Sequence, residues 1–214
     1  MLTEEERIIE IFKSYDALWV HSGDPKDPHA ELTSGLCSNA YYNCSNVLCE
    51  PALTEELAEE LCHKLYKAGL EENYPDWVVG SAYAAITFSY EVAKWLGAKH
   101  AFAEKTSEPH KMSFKRVEIP EGSVVLQVEE LITTMGTVNA VRGAIVRDNP
   151  YPVNFLPFIG TIVYRPAKLD ENSHRIISLI EQIVWSVPPE ECPLCKEGSV
   201  RYQPKKNWAK LTQR

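Results

Sequence analysis

The chain has no apolar run approaching membrane-spanning length, so no transmembrane helix is expected. Positive charge is also in short supply: 22 Lys and Arg against 30 Asp and Glu leave a net charge of -8. Sequence-independent binding to nucleic acid needs clustered cations, so the composition argues against it. A secretory signal would start basic and turn apolar. The opening residues through Phe12 are acidic and amphipathic instead, which predicts a cytoplasmic protein. In that compartment the six cysteines (Cys37, Cys44, Cys49, Cys62, Cys192 and Cys195) are thiols by default, and the sequon Asn43-Cys44-Ser45 is accidental. Internal repeats and low-complexity tracts are lacking.

What is present suffices for a core. An apolar fraction of 44% over 214 residues fits a single domain of ordinary size with extra segments. Thr3 with Glu6 forms a capping box, and apolar residues from Ile8 to Trp19 recur at helical spacing, which predicts a helix over 3–20. After the breakers around Pro25 and Pro28, the turn at Ser34-Gly35 predicts a hairpin or a bent strand pair. Pro51 to Gly69 reads as a helix with Leu53, Leu57, Leu61 and Leu65 in register. Strands are expected at Asp76–Gly80 and His100–Lys105; between them lie the segment Ser81–Ala85 and a helix through Glu91 to Leu96-Gly97. Further strands are expected at Phe155–Arg165 and from Ile176 onward.

The most informative stretch runs from Ser123 to Arg147. Val124, Val125, Leu126 and Val128 read as a strand buried on both faces, as in a parallel sheet. Glu129 and Glu130 sit where that strand is expected to end. Thr133, Thr134, Met135, Gly136 and Thr137 form a hydroxyl-rich turn, followed by a helical pattern through Val138, Val141, Ala144 and Ile145. Such a unit places free backbone N–H groups and a positive helix end around an anion, with carboxylates alongside for sugar hydroxyls or Mg²⁺. A ligand with ribose hydroxyls and a 5′-phosphate satisfies both halves.

This order of residues resembles the signature of the type I phosphoribosyltransferases: apolar residues, an acidic pair, two apolar residues and T-T-G-G-S/T. The segment Leu32-Thr33-Ser34-Gly35 with Tyr41 and Tyr42 resembles the N-terminal hood of the orotate branch, and Cys192-Pro193-Leu194-Cys195 resembles a C-terminal feature of some of its members. The resemblance implies an α/β fold: a central, mostly parallel sheet flanked by helices, with a small hood. It divides one domain into a helix and hood (1–50), a core (51–190) and a tail (191–214).

The implied activity is transfer of the 5-phosphoribosyl group from 5-phosphoribosyl-1-diphosphate (PRPP) to orotate, releasing pyrophosphate, with Mg²⁺ as cofactor. Mg²⁺ would be held mainly through PRPP and water, with Glu129 and Glu130 as candidate contacts. The resemblance assigns PRPP to Glu129, Glu130, Thr133, Thr134, Met135, Gly136 and Thr137, and pyrophosphate to the loop Ser81, Ala82, Tyr83 and Ala84. Orotate falls to Ser34, Gly35, Tyr41, Tyr42, Thr133 and Arg165. The cations Lys105, His110, Lys111, Lys115 and Arg116 would meet the leaving group from a closing loop, shared across a homodimer interface. No nucleic-acid or membrane partner is implied.

Several residues depart from the family pattern. Glu130 stands for the usual Asp, Met135 for a Gly, and Ala84-Ala85 for two loop glycines. Either that loop keeps a negative-φ path that alanine tolerates, or pyrophosphate binding is weakened. The tyrosines could simply pack the hairpin, Arg165 could form a structural salt bridge, and the loop cations could be solvated. A phosphoribosyltransferase for another base and a non-catalytic PRPP- or nucleotide-binding regulator are the rival functions. The Cys192–Cys195 pair resembles half a zinc knuckle, but a closed site needs four ligands and no second CxxC exists. Zinc shared between chains, or no metal, both remain open. The basic tail around Lys205 and Lys206 is expected to pack or fray at the surface.

Overall fold

The computed structural model describes residues 2–169 and 175–213. The capping box forms: the Thr3 hydroxyl accepts the Glu6 N–H at 3.2 Å while the Glu6 carboxylate accepts the Thr3 N–H at 2.8 Å. It starts α1 (Glu4–Ser14), six residues shorter at its C-terminal end than the apolar spacing predicts. Asp16 adopts φ 49°, which ends the helix and lets Leu18–Val20 form β1. Sequence periodicity merged the two because both bury apolar residues against the same core.

The hood follows with β2 (His29–Glu31), β3 (Cys37–Ser38), β4 (Ala40–Tyr42) and a short α2 (Ser45–Leu48). Gly35 at φ 81° makes the turn between β2 and β3, where a side chain would be strained. Pro51 at its first position opens α3 (Pro51–Lys67), and Gly69 at φ 99° follows its end. The core then alternates strand and helix: β5 (Trp77–Ser81), α4 (Ala85–Leu96), β6 (Lys99–Lys105), β7 (Met112–Ser113), β8 (Val124–Ile132), α5 (Gly136–Asp148), β9 (Asn154–Tyr164) and β10 (Arg175–Glu181). The tail contributes β11 (Ser186–Val187), α6 (Pro193–Lys196), β12 (Arg201–Tyr202) and α7 (Pro204–Thr212).

The six-stranded sheet runs β10-β9-β8-β5-β6-β7 and is parallel throughout except for the β6–β7 edge. Both faces are covered, as the run Val124–Val128 predicts. Val78 of β5 packs with Leu61 of α3 and Phe88 of α4, while its neighbour Val79 packs with Val141 and Ile145 of α5. The helices lie close on the sheet: a Cβ at Gly80 would sit 2.3 Å from the Ser89 hydroxyl, and one at Gly160 would sit 2.9 Å from Leu61.

The acidic pair does not end β8. The strand continues through it to Ile132, because Glu129, Leu131 and Ile132 pair with Thr161, Val163 and Tyr164 of β9. Neither does the tail fray. β12 pairs with β2 and β11 with β3, giving a sheet of order β11-β3-β2-β12 in which hood and tail interleave. Among the described residues, no helix is long and apolar enough to cross a membrane.

Candidate active site

The chain leaves β5 through α4 toward β6, and leaves β8 through α5 toward β9, in opposite directions across the sheet. Ligands of open α/β sheets bind where the order reverses in this way, at the strand C-termini. A cavity of about 640 Å³ opens there, between the end of β8 and the hood. Its walls include Ser34, Tyr41 and Tyr42 from the hood, Ala84, Glu130, Thr133 and Thr134 from the core edge, and Arg165 just beyond β9. A second cavity of about 610 Å³ adjoins it at Thr134 and is lined by Lys105, His110, Lys111, Thr134, Gly136 and Thr137. The sequence assigned these residues to base, ribose phosphate and leaving group, and the fold gathers them around one sheet edge.

The two glutamates face opposite sides of their strand and differ in role. Glu129 is 1% exposed; the Ser81 hydroxyl donates to it at 2.5 Å and the Gln127 amide at 3.0 Å. Arg142 in turn donates to Gln127 at 3.2 Å and to the Leu156 carbonyl at 3.3 Å. Burial pushes the Glu129 carboxyl up to about 7, against the pull of the Ser81 hydrogen bond and with a smaller push from Glu130. Glu130 lines the main cavity. Burial raises its pKa too, while Lys105 favours its charged form. The sequence pairs the two carboxylates in one role; the β-strand alternation separates them, one locking the ends of β5 and β8 together and one facing the cavity.

The departures from the family pattern are accommodated locally. Ala84 has φ -68° and Ala85 begins α4, so this loop follows the negative-φ path that alanine tolerates. Of the loop residues, Ala84 reaches the main cavity, Ser81 and Ala82 are buried, and Tyr83 is exposed with the Lys105 ammonium 5.5 Å from its ring centre. Met135 likewise has a negative φ, -75°, and its side chain packs on the cluster of Ile132, Val138, Ile159 and Tyr164. The turn therefore asks for no glycine at that position.

Arg165 carries the clearest ligand signal. Its Nε is buried without a hydrogen-bond partner among the described residues, and burial lowers its pKa. Such an orphaned charged donor at a cavity wall is completed by an anion. No salt bridge of Arg165 is present among the described residues. Tyr42 does have a packing role: it is buried, its hydroxyl donates to Gln182, and its ring meets Phe12 edge-on. Tyr41 is half-buried between the cavity and Trp208 of α7.

Other assignments fall outside the cavities. Gly35 shapes the hairpin without lining either cavity, whereas its neighbours Thr33 and Ser34 do so. Lys115 and Arg116 are exposed away from both, and Arg116 pairs with Glu104 at 2.6 Å. The closing loop, expected from Thr106 to Glu118, is interrupted: Met112–Ser113 pairs back onto β6 and leaves 106–111 as the connection. The sequence reading overlooked Asn43, Cys44 and Lys205, which also line the main cavity. Asn43 and Cys44 follow Tyr42 directly and could have been carried along with it. Lys205 could not, since its place depends on the pairing of β12 with β2.

No family model matches the chain. Curated relatives do. It is 34% identical over 200 residues to the orotate phosphoribosyltransferase of Desulforamulus reducens, covering 93% of this chain and 95% of that one. It is 31% identical over 208 residues to that of Heliobacterium modesticaldum, covering 94% and 97%. Among solved structures, the orotate phosphoribosyltransferase of Aeropyrum pernix superposes with a TM-score of 0.55 at 17% identity, covering 80% of this chain and 92% of that one. The adenine phosphoribosyltransferase of Saccharomyces cerevisiae superposes with a TM-score of 0.53 at 19% identity, covering 65% and 86%. With full-length relatives above 30% identity and a phosphoribosyltransferase fold built around this sheet edge, the chain belongs to the orotate phosphoribosyltransferase family.

Proposed function

We propose that this protein transfers the 5-phosphoribosyl group from PRPP to N1 of orotate, forming orotidine 5′-phosphate and pyrophosphate. The observation that carries this reading for the base is Arg165, which lines the hood-covered cavity with Tyr41 and whose buried Nε has no hydrogen-bond partner among the described residues. A planar guanidinium fork suits a carboxylate, and orotate carries one. The 5′-phosphate is assigned to the turn Thr133–Thr137, where the N-terminus of the 13-residue α5 offers backbone N–H groups. Glu130 is assigned to the ribose hydroxyls. Lys105, His110 and Lys111 are assigned to the pyrophosphate. As it departs, negative charge gathers on its oxygens and the anomeric carbon gains oxocarbenium character.

Orotate is already ionised, so this reading requires no strong nucleophile or base; positioning and electrostatics carry the reaction. Mg²⁺ fits the donor set in a limited way. Both oxygens of Glu129 hold neighbouring donors, which leaves Glu130 to meet an ion that arrives with PRPP. When bound, that ion would neutralise phosphate charge. We also assign a homodimer, with the exposed 107–111 segment reaching a neighbouring site, and a cytoplasmic location suited to free thiols.

Pyrophosphate release from PRPP and Mg²⁺, with and without orotate, tests the reading. Orotate-dependent release is expected, and Arg165→Lys should raise the KM for orotate at least about tenfold while leaving PRPP binding unchanged. Release with a different base would reassign the substrate. Tight PRPP binding without turnover on any base would mark a retired enzyme.

A further inference from the structure

We propose that His29, Cys37, Cys192 and Cys195 form a closed structural zinc site that fastens the C-terminal tail to the hood. One ligand atom from each lies within 4.8 Å of all the others. Cys37 and Cys195 sulfurs are 3.6 Å apart, and His29 Nε2 is 3.6 Å from the Cys192 sulfur and 3.4 Å from that of Cys195. Tetrahedral zinc with bonds of about 2.3 Å to sulfur and about 2.0 Å to nitrogen spaces its ligands by roughly 3.5–3.8 Å. The four groups therefore already stand near the corners of that tetrahedron. Three thiolates and one imidazole leave no open position, which makes the site structural.

The missing half of the knuckle comes from the hood. In the β2–β3 hairpin Glu31 stands opposite Cys37, so His29, two residues before Glu31, shares a face with Cys37. Secondary interactions also fit a metal. The Ser199 hydroxyl donates to the Asp27 carbonyl at 2.6 Å, so it accepts from His29 Nδ1 at 2.8 Å. That fixes the proton on Nδ1 and turns the Nε2 lone pair toward the thiols. The Cys195 N–H donates to the Cys192 sulfur at 3.5 Å, and Leu194, Trp185 and Val187 surround the cluster. Arg201 lies against Cys37, where it would balance the single excess negative charge of three thiolates on Zn²⁺.

The site joins pieces that wall the main cavity. The β2–β3 turn brings Thr33 and Ser34 to it, and the chain after α6 brings Lys205. Zinc would thus hold the hood and the tail in register over the site.

The test uses the 214-residue protein in reduced form. Plasma mass spectrometry should find one zinc per chain, and Co²⁺ in its place should give the intense thiolate charge-transfer bands of a tetrahedral site. Under a competing chelator, Cys195→Ser should lose zinc occupancy at least about tenfold, while Cys49→Ser keeps it. Should Cys195→Ser fail to fold, the Co²⁺ spectrum of the natural chain decides alone. A reduced natural chain that takes up neither metal would overturn the proposal, as would a Cys37–Cys195 disulfide in the purified protein at full thermal stability.

Discussion

Glu129 shows how a single buried carboxyl can tie architecture to pH. Its pKa stands near 7 in the folded chain against an ordinary 4.5, with burial as the main cause. The unfolded chain therefore releases this proton at lower pH than the folded one, and raising the pH favours unfolding between those values. Glu129→Gln keeps the size and an acceptor but removes the ionisation. Relative to the natural protein, this variant should gain thermal stability as pH rises from about 4.5 to about 7 and hold that gain above. Melting curves at pH 5 and pH 8 check it; a gap that stays constant between them would show that Glu129 is ionised throughout. Arg142, one step away, donates to Gln127 and extends the hydrogen-bond chain that reaches Glu129.

At the scale of elements, the turn between β8 and α5 explains why a departure from a signature need not be a defect. Met135 has a negative φ and an apolar cluster to cover, so restoring the family residue with Met135→Gly gains no needed conformation and removes packing. The expected loss is about 1–2 kcal/mol, read from denaturant midpoints. An unchanged or increased stability would mean the methionine strains the turn. The strand-turn-helix order of this element was legible because its apolar run, acidic pair and hydroxyls are local. The same holds for α3 with its proline start, and for β5 and β6. What the sequence concealed was pairing. That β8 runs on past Glu130 depends on Val163 and Tyr164 of β9, more than thirty residues away. The end of α1 depended on one residue, Asp16, whose backbone conformation no periodicity reveals. Of the site, the turn was readable as a local pattern and Arg165 was singled out only through the family resemblance, while Lys205 and the partners of Cys192 became visible only through the pairing of hood and tail.

For the whole molecule, the proposed closing loop has two sites it could serve, that of its own chain and that of a partner. Lys105, His110 and Lys111 line the smaller cavity in their own chain, yet 107–111 is exposed and, at its turn, His110 takes φ 60°. Exposed cations on a short connection carry little packing that would hold them in place, and a leaving pyrophosphate is the kind of ligand that would order them. In a homodimer such a loop can serve its own site or its neighbour's. Two variants, each expected to be inactive alone, separate these arrangements: Lys111→Ala removes the loop cation, and Glu130→Gln alters the cavity carboxylate. If the loop acts across the interface, a mixed dimer assembles one site with both natural residues, because each defect lies in a different chain. Activity should then reappear when the two inactive proteins are dissociated, mixed and reassociated. If the loop serves its own chain, every site in the mixture still carries a defect and the mixture stays inactive, provided mixed dimers are confirmed by mass spectrometry.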